Sequence, residues 1–180
     1  MLKVTTAQRE YFNEATQEFI DIPSVELTLE HSLISVSKWE SKWKKSFLNT
    51  DKLSDDEMAD YVRCMTVGKE AEWNVYRYLS PKAIRQIQQY MDDAMTATTF
   101  SDRKQYKHKK EIVTAELIYY WMIEAGIPFE CEKWHLNRLL ALIRVCNIKG
   151  TAGKKMSKRD IMKQNAELNA ARRKASGSKG

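Results

Sequence analysis

The sequence predicts an α+β fold that is predominantly α-helical: a small N-terminal β-meander, then a helical body, then a basic C-terminal tail. Three observations carry that expectation. Residues 1–31 hold short β-branched and aromatic runs with partial alternation, the period-2 signal of strands. From Ser32 the apolar spacing lengthens to three and four, the signal of helices buried along one face. From Lys149 to Gly180 there are ten Lys/Arg against only Asp160 and Glu167, a net +8 on a chain whose total is +6. Residues 1–148 therefore carry −2, so the basic character belongs to the tail and not to the fold.

The elements follow in order. Residues 1–6, 9–13, 18–22 and 25–31 read as four strands, with the segment NEAT and the step Ile22-Pro23-Ser24 supplying turns. In Val25-Glu26-Leu27-Thr28-Leu29-Glu30 every second residue is apolar, as a half-buried antiparallel strand requires. Leu33, Val36, Trp39, Trp43 and Phe47 then fall along one helical face, with Lys38, Glu40, Lys42 and Lys44 toward water. Ser54-Asp55-Asp56-Glu57 is a capping box opening a helix that carries Met58, Tyr61, Val62 and Met65 and ends near Gly68. Ser80 and Pro81 start another as N-cap and first helical residue, followed by Ile84, Ile87, Gln88 and Met91.

Residues 95–102 (MTATTFSD) are polar and β-branched, which predicts a loop or short extended segment. A helix over 111–125 stops at Gly126, with Pro128 beyond it. A second over 130–147 holds Trp134, Leu139, Leu140, Ile143 and Cys146, widened by Leu136, Leu142 and Val145. Both are apolar over more than one face, which fits the centre of the core; the same helices could equally supply apolar surface to a partner. Gly150 and Gly153 form a hinge, Ser157 and Asp160 cap a last helix over 158–174 with a thin seam of Ile161, Met162 and Leu168, and ASGSKG follows as a disordered end. The expected organisation is a β-rich segment 1–31 packed on the body, a helical domain 32–148, and a tail 149–180.

Composition bounds the class. Three cysteines, Cys64, Cys131 and Cys146, are an odd number in apolar surroundings, which fits a reducing cytosol better than a disulfide framework. The start MLKVTTAQRE has no apolar core of a signal peptide. The longest apolar run, 115–123, is interrupted by Glu116 and is too short for a bilayer, so no membrane partner is expected.

Several constellations suggest chemistry, and each has a plainer reading. Lys155-Met156-Ser157-Lys158 spells the KMSK element of class I aminoacyl-tRNA synthetases, but the βαβ alternation and second motif that this role needs are missing. Cys131 and His135, at i and i+4 on one predicted helix, are half of a tetrahedral zinc site without a second half. Glu130, Glu132 and His135 resemble an acid/base group, yet carboxylates at a helix start serve its dipole. No phosphate-cradling glycine loop is present among six glycines. The expectation is a binding protein with no catalytic residue, cofactor or metal.

The candidate partner-binding residues lie in three places. Trp39 and Trp43, flanked by Lys38, Lys42, Lys44 and Lys45, are the tryptophans most suited to a contact surface, whereas nearby Asp51, Asp55 and Asp56 oppose base stacking on them. Thr98, Thr99 and Phe100 form a loop without an evident core role. Lys154, Lys155, Lys158, Arg159, Arg172 and Arg173 could neutralise phosphates of a nucleic acid; the plainer reading is a solvated end that meets an acidic partner or keeps the chain soluble. Self-association stays open.

The segments VELTLEHSLISVSKWESKWKKSFL (25–48), MTATTF (95–100), IYYWMIEAGI (118–127), PFECEKWHLNRLLALIRVCN (128–147) and NAELNAARRKAS (165–176) carry a resemblance over most of the chain. The chain resembles the tail assembly chaperones of tailed bacteriophages, small proteins made beside the tape-measure protein. The resemblance implies a mostly helical protein of the host cytoplasm that coats the tape-measure protein, keeps it soluble while tail-tube subunits polymerise, and leaves before the virion matures. It also implies two lengths made by ribosomal frameshifting, and it offers no catalytic residues. The alternatives are a structural tail or baseplate component retained in the virion, and a nucleic-acid-binding regulator acting through residues 149–180.

Overall fold

The computed structural model describes residues 1–14, 17–100, 112–152, 162–163 and 165–169, and its fold is α+β and mostly helical. Four strands form at the N-terminus: β1 (Leu2–Thr5), β2 (Arg9–Asn13), β3 (Glu18–Ile22) and β4 (Glu26–Leu29). Their pairing is nested rather than sequential, which corrects the expected meander. β1 pairs antiparallel with β4 (Val4 opposite Leu27), and β2–β3 is a separate hairpin between them (Phe12 opposite Phe19).

The reason lies in burial and in Thr6. Val4, Leu27 and Leu29 all enter the core, whereas Tyr11, Phe12 and Phe19 stay exposed, so the two ladders do not share a buried face. The Thr6 amide and the Val25 carbonyl continue the β1–β4 ladder at 2.9 Å, and the Val25 amide returns a bond to Thr6 Oγ1 at 2.9 Å. Residues 65–67 cover the other edge of β4 through Val67 N–H to Thr28 O and Glu30 N–H to Met65 O, each 2.8 Å.

The helices are α1 (Leu33–Trp43), α2 (Asp55–Met65), α3 (Trp73–Arg77), α4 (Pro81–Asp92), α5 (Ala115–Glu124), a 3-10 turn η1 (Phe129–Lys133) and α6 (Leu136–Ala152). The caps expected at Ser54 and Ser80 are in place, and Ser32 and Thr114 cap two further helices. Ser32, Ser54, Ser80 and Thr114 accept from the N3 amides of α1, α2, α4 and α5, and Glu57 closes the capping box on the Ser54 amide. Gly126, at φ 64, ends α5 in a Schellman motif: Ile127 N–H reaches Met122 O at 2.8 Å and Gly126 N–H reaches Ile123 O at 3.1 Å.

Helix boundaries differ from the sequence pattern in several places, among them the start of α5 at Ala115 instead of residue 111. α1 stops at Trp43, where Lys44 turns left-handed, so Phe47 leaves the helix and folds back to stack on Tyr61 at 3.9 Å. The expected helix over 130–147 is broken at Trp134 and His135, because Leu136 N–H bonds to His31 O at 2.7 Å and this backbone bridge takes the chain out of helical geometry. α6 runs through Gly150, so no hinge exists there; a helical glycine costs only about 1 kcal/mol against alanine. Gly153, Ser157, Asp160 and the ASGSKG end lie outside the described residues, as does most of the expected helix over 158–174, of which residues 162–163 and 165–169 are helical.

Residues 1–144 and 145–180 are two compact units. In the first, Leu33, Val36 and Trp39 of α1, Tyr61, Val62 and Met65 of α2, Ile87 of α4, Ile118 and Met122 of α5, and Leu136 and Leu139 of α6 are buried with Val4, Leu27 and Leu29. No helix among the described residues is long and apolar enough to cross a membrane.

Candidate functional site

Polar groups buried beneath the surface fix where α5 lies. Glu40 is buried on α1, and its two oxygens take different amides: Oε1 accepts from Phe47 N–H at 2.8 Å and Oε2 from Ala115 N–H at 2.7 Å. Ser46 Oγ donates to Val113 O at 2.6 Å, and Val113 N–H donates to Asn49 Oδ1 at 2.7 Å. A carboxylate receiving backbone N–H groups at a helix start also complements the dipole there. Glu40 is thus the joint that anchors α5 to α1.

Next to it the tryptophans and carboxylates of α1 and α2 are fully engaged. Trp39 is 0% exposed and its indole N–H donates to Glu57 O at 2.9 Å; Trp43 is half-buried and donates to Asp60 Oδ2 at 2.8 Å. Lys45 and the Ser54 amide hold the Glu57 carboxyl down to about 2. Burial pushes Asp60 up, but bonds from Lys42, Trp43 and Arg63 outweigh it and keep the carboxyl below its ordinary range. Trp39 is therefore a core residue and not the contact surface expected of it: the helix turns it inward with Leu33 and Val36. Trp43 keeps one accessible flank, where Lys42 sits 5.5 Å from its ring and 5.8 Å from that of Trp73.

The two histidines beneath β4 face each other at 5.1 Å. His31 Nδ1 shares a hydrogen bond with the Tyr61 hydroxyl, and burial, followed by repulsion from His135, lowers its pKa to about 3. His135 Nε2 bonds to Tyr90 O at 2.9 Å, and its Nδ1 lies 3.3 Å from the Asn137 amide. With both nitrogens in use and the helix broken between them, His135 and Cys131 do not share a helical face. Nor does His135 join the two glutamates: Glu130 is exposed, and Glu132 accepts from the Tyr119 hydroxyl at 2.8 Å. Among the described residues no three His, Cys, Asp or Glu side chains cluster for a metal.

The surface left over is apolar. α5 buries only Ala115, Ile118 and Met122, one stripe at helical spacing. Its opposite face carries Glu116, Leu117, Tyr120, Ile123 and Glu124, with Tyr120 56% and Ile123 62% exposed. Phe129, 55% exposed on η1, lies 6.3 Å from the Tyr119 ring and extends that surface. On α6, Leu136, Leu139 and Ile143 are buried, whereas Leu140 and Leu142 are half-exposed. Both helices are apolar on several faces; each gives the core one stripe and shows the rest to solvent. The β2–β3 hairpin adds a second exposed aromatic group, Tyr11, Phe12 and Phe19.

Of the remaining expected contact residues, those of the 98–100 loop are described. Thr98 and Thr99 are exposed, and Phe100 is half-buried beneath the Arg144 guanidinium at 4.1 Å. Asn137 Nδ2 holds the start of this loop, donating to Met91 O and Asp93 O at 2.9 and 2.8 Å. Lys154, Lys155, Lys158, Arg159, Arg172 and Arg173 lie outside the described residues. The α5–η1 surface was missing from the sequence-derived set, although its signal was present: apolar residues on more sides than one core needs. Comparison with known proteins finds no matching family model, curated protein or solved structure.

Proposed function

We propose that this chain is a tail assembly chaperone of tailed bacteriophages, binding the tape-measure protein in the host cytoplasm and keeping it soluble while the tail tube assembles. One observation carries the reading: α5 and η1 leave Tyr120, Ile123 and Phe129 exposed on a unit whose core closes without them. A chaperone for a long amphipathic client needs standing apolar surface, and helix-on-helix docking uses anchors at such spacing. The resemblance described above supplies the identity of the client.

Co-expression with the tape-measure protein tests the reading. The expected result is a soluble client that elutes with this chain. A client that precipitates while this chain elutes alone overturns it. Presence in purified virions would then favour a structural tail component. DNA binding that falls steeply with salt and is lost on removing residues 149–180 would favour a nucleic-acid-binding protein.

A further inference from the structure

Among the described residues, the exposed aromatic stretches of the first unit hold mostly carboxylates within their own strands and helix. Between Ile112 and Glu132 there is no Lys or Arg, while Glu116, Glu124, Glu130 and Glu132 all belong to this stretch. Glu116 and Glu124 stand on the same outward face of α5 as Leu117, Tyr120 and Ile123, and Glu130 is exposed beside Phe129. The hairpin repeats the pattern. Tyr11, Phe12 and Phe19 are interleaved with Glu10, Glu14, Glu18 and Asp21, and the only cation of its strands, Arg9, is bound to the Tyr78 carbonyl.

The carboxylates on α5 are not all explained by the fold. Glu116 sits in the first turn, where the helix dipole favours negative charge. Glu124 is the last residue of α5, where the dipole opposes it, and no basic residue occupies that turn. Neither Glu116, Glu124 nor Glu130 joins an ion pair among the described residues. Lys133, the next cation along the chain, lines the grooves beside Glu30. A carboxylate without an ion pair among the described residues, kept where it weakens its own helix and at the edge of an exposed apolar face, is suited to a cation from a partner.

We infer that the α5–η1 face takes a basic amphipathic helix. The partner's apolar seam covers Leu117, Tyr120, Ile123 and Phe129, and Lys or Arg bordering that seam meet Glu116, Glu124 and Glu130. The inference rests on this face being the client surface and adds the client's chemistry. Segments with cations beside an apolar stripe are held, and acidic amphipathic segments are refused by like charge.

The test uses the full chain and three synthetic amphipathic peptides of equal length, with Leu on one face and Lys, Gln or Glu on the other, titrated calorimetrically. The share of binding due to this face is the affinity lost in Tyr120→Gln/Ile123→Gln, which changes two exposed side chains and leaves the melting curve in place. That share should be roughly tenfold larger for the Leu/Lys peptide than for Leu/Gln and absent for Leu/Glu, with the difference shrinking as salt is raised. Glu124→Lys/Glu130→Lys should reverse the preference. Equal face-dependent affinity for all three peptides overturns the charge selection while leaving the client surface intact. Affinity unchanged by Tyr120→Gln/Ile123→Gln removes the client surface as well. A sedimenting dimer that becomes monomeric in that variant assigns the face to a second copy and also overturns the proposal.

Discussion

Around α1 and α2 the molecule buries polar atoms and pairs them; along α5 and η1 it exposes apolar ones. The first region encloses Glu40, Glu57, Asp60 and His31, and each is bonded to a neighbouring amide or side chain. The second leaves Tyr120, Ile123 and Phe129 in water beside carboxylates that join no ion pair among the described residues. A buried charge is stable only when its partners are built in, so the α1–α2 region is committed to one internal arrangement. An exposed apolar face contributes nothing to the fold that carries it. The contrast separates residues that make the structure from residues the structure presents.

The largest test of that contrast is truncation on either side of it. Trp39→Ala removes a fully buried indole and its bond to the Glu57 carbonyl, and should cost about 3–5 kcal/mol in denaturant unfolding. Tyr120→Gln or Ile123→Gln should stay within about 0.5 kcal/mol of the parent protein. A loss of similar size at Ile123 would break the comparison.

Acid sharpens it next. The His31 pKa lies near 3 in the folded protein against an ordinary 6.5, so between those values the unfolded chain binds the extra proton. Stability is therefore present above pH 6.5 and falls as the pH drops toward 3, by at most about 1.4 kcal/mol per pH unit. Glu57, lowered from 4.5 to about 2, adds its own loss only below pH 4.5. Urea midpoints between pH 4.5 and 6.5 should slope for the parent protein and flatten in His31→Gln.

Smaller effects probe the joints. Glu40→Gln replaces one of two acceptor oxygens with an amide facing a backbone N–H, and should cost about 1–3 kcal/mol with faster amide exchange at the start of α5. Ser54→Ala removes half of the capping box and should cost about 1 kcal/mol.

Much of this was legible in the chain. Strand alternation at Val25–Glu30 and the caps at Ser54 and Ser80 are local signals, and each appears where the pattern put it. Features set by distant partners were not legible. The nested strand pairing depends on Thr6 reaching Val25, the break at Trp134–His135 depends on the His31 carbonyl, and the fold-back after α1 places Phe47 on Tyr61. Trp39 and Trp43 looked equivalent because both fall on one helical stripe, and only the three-dimensional packing of Phe47 and Tyr61 distinguishes the buried one. The α5 surface stayed undecided between core and contact face for the converse reason: periodicity counts apolar faces without saying how many of them a neighbour covers.

The most direct measurement pairs thermal unfolding with client solubility for Tyr120→Gln/Ile123→Gln co-expressed with the tape-measure protein. An unchanged melting temperature together with a client that now precipitates is the predicted result. A lowered melting temperature with the client still soluble would make the α5 face part of this protein's own architecture and contradict the account.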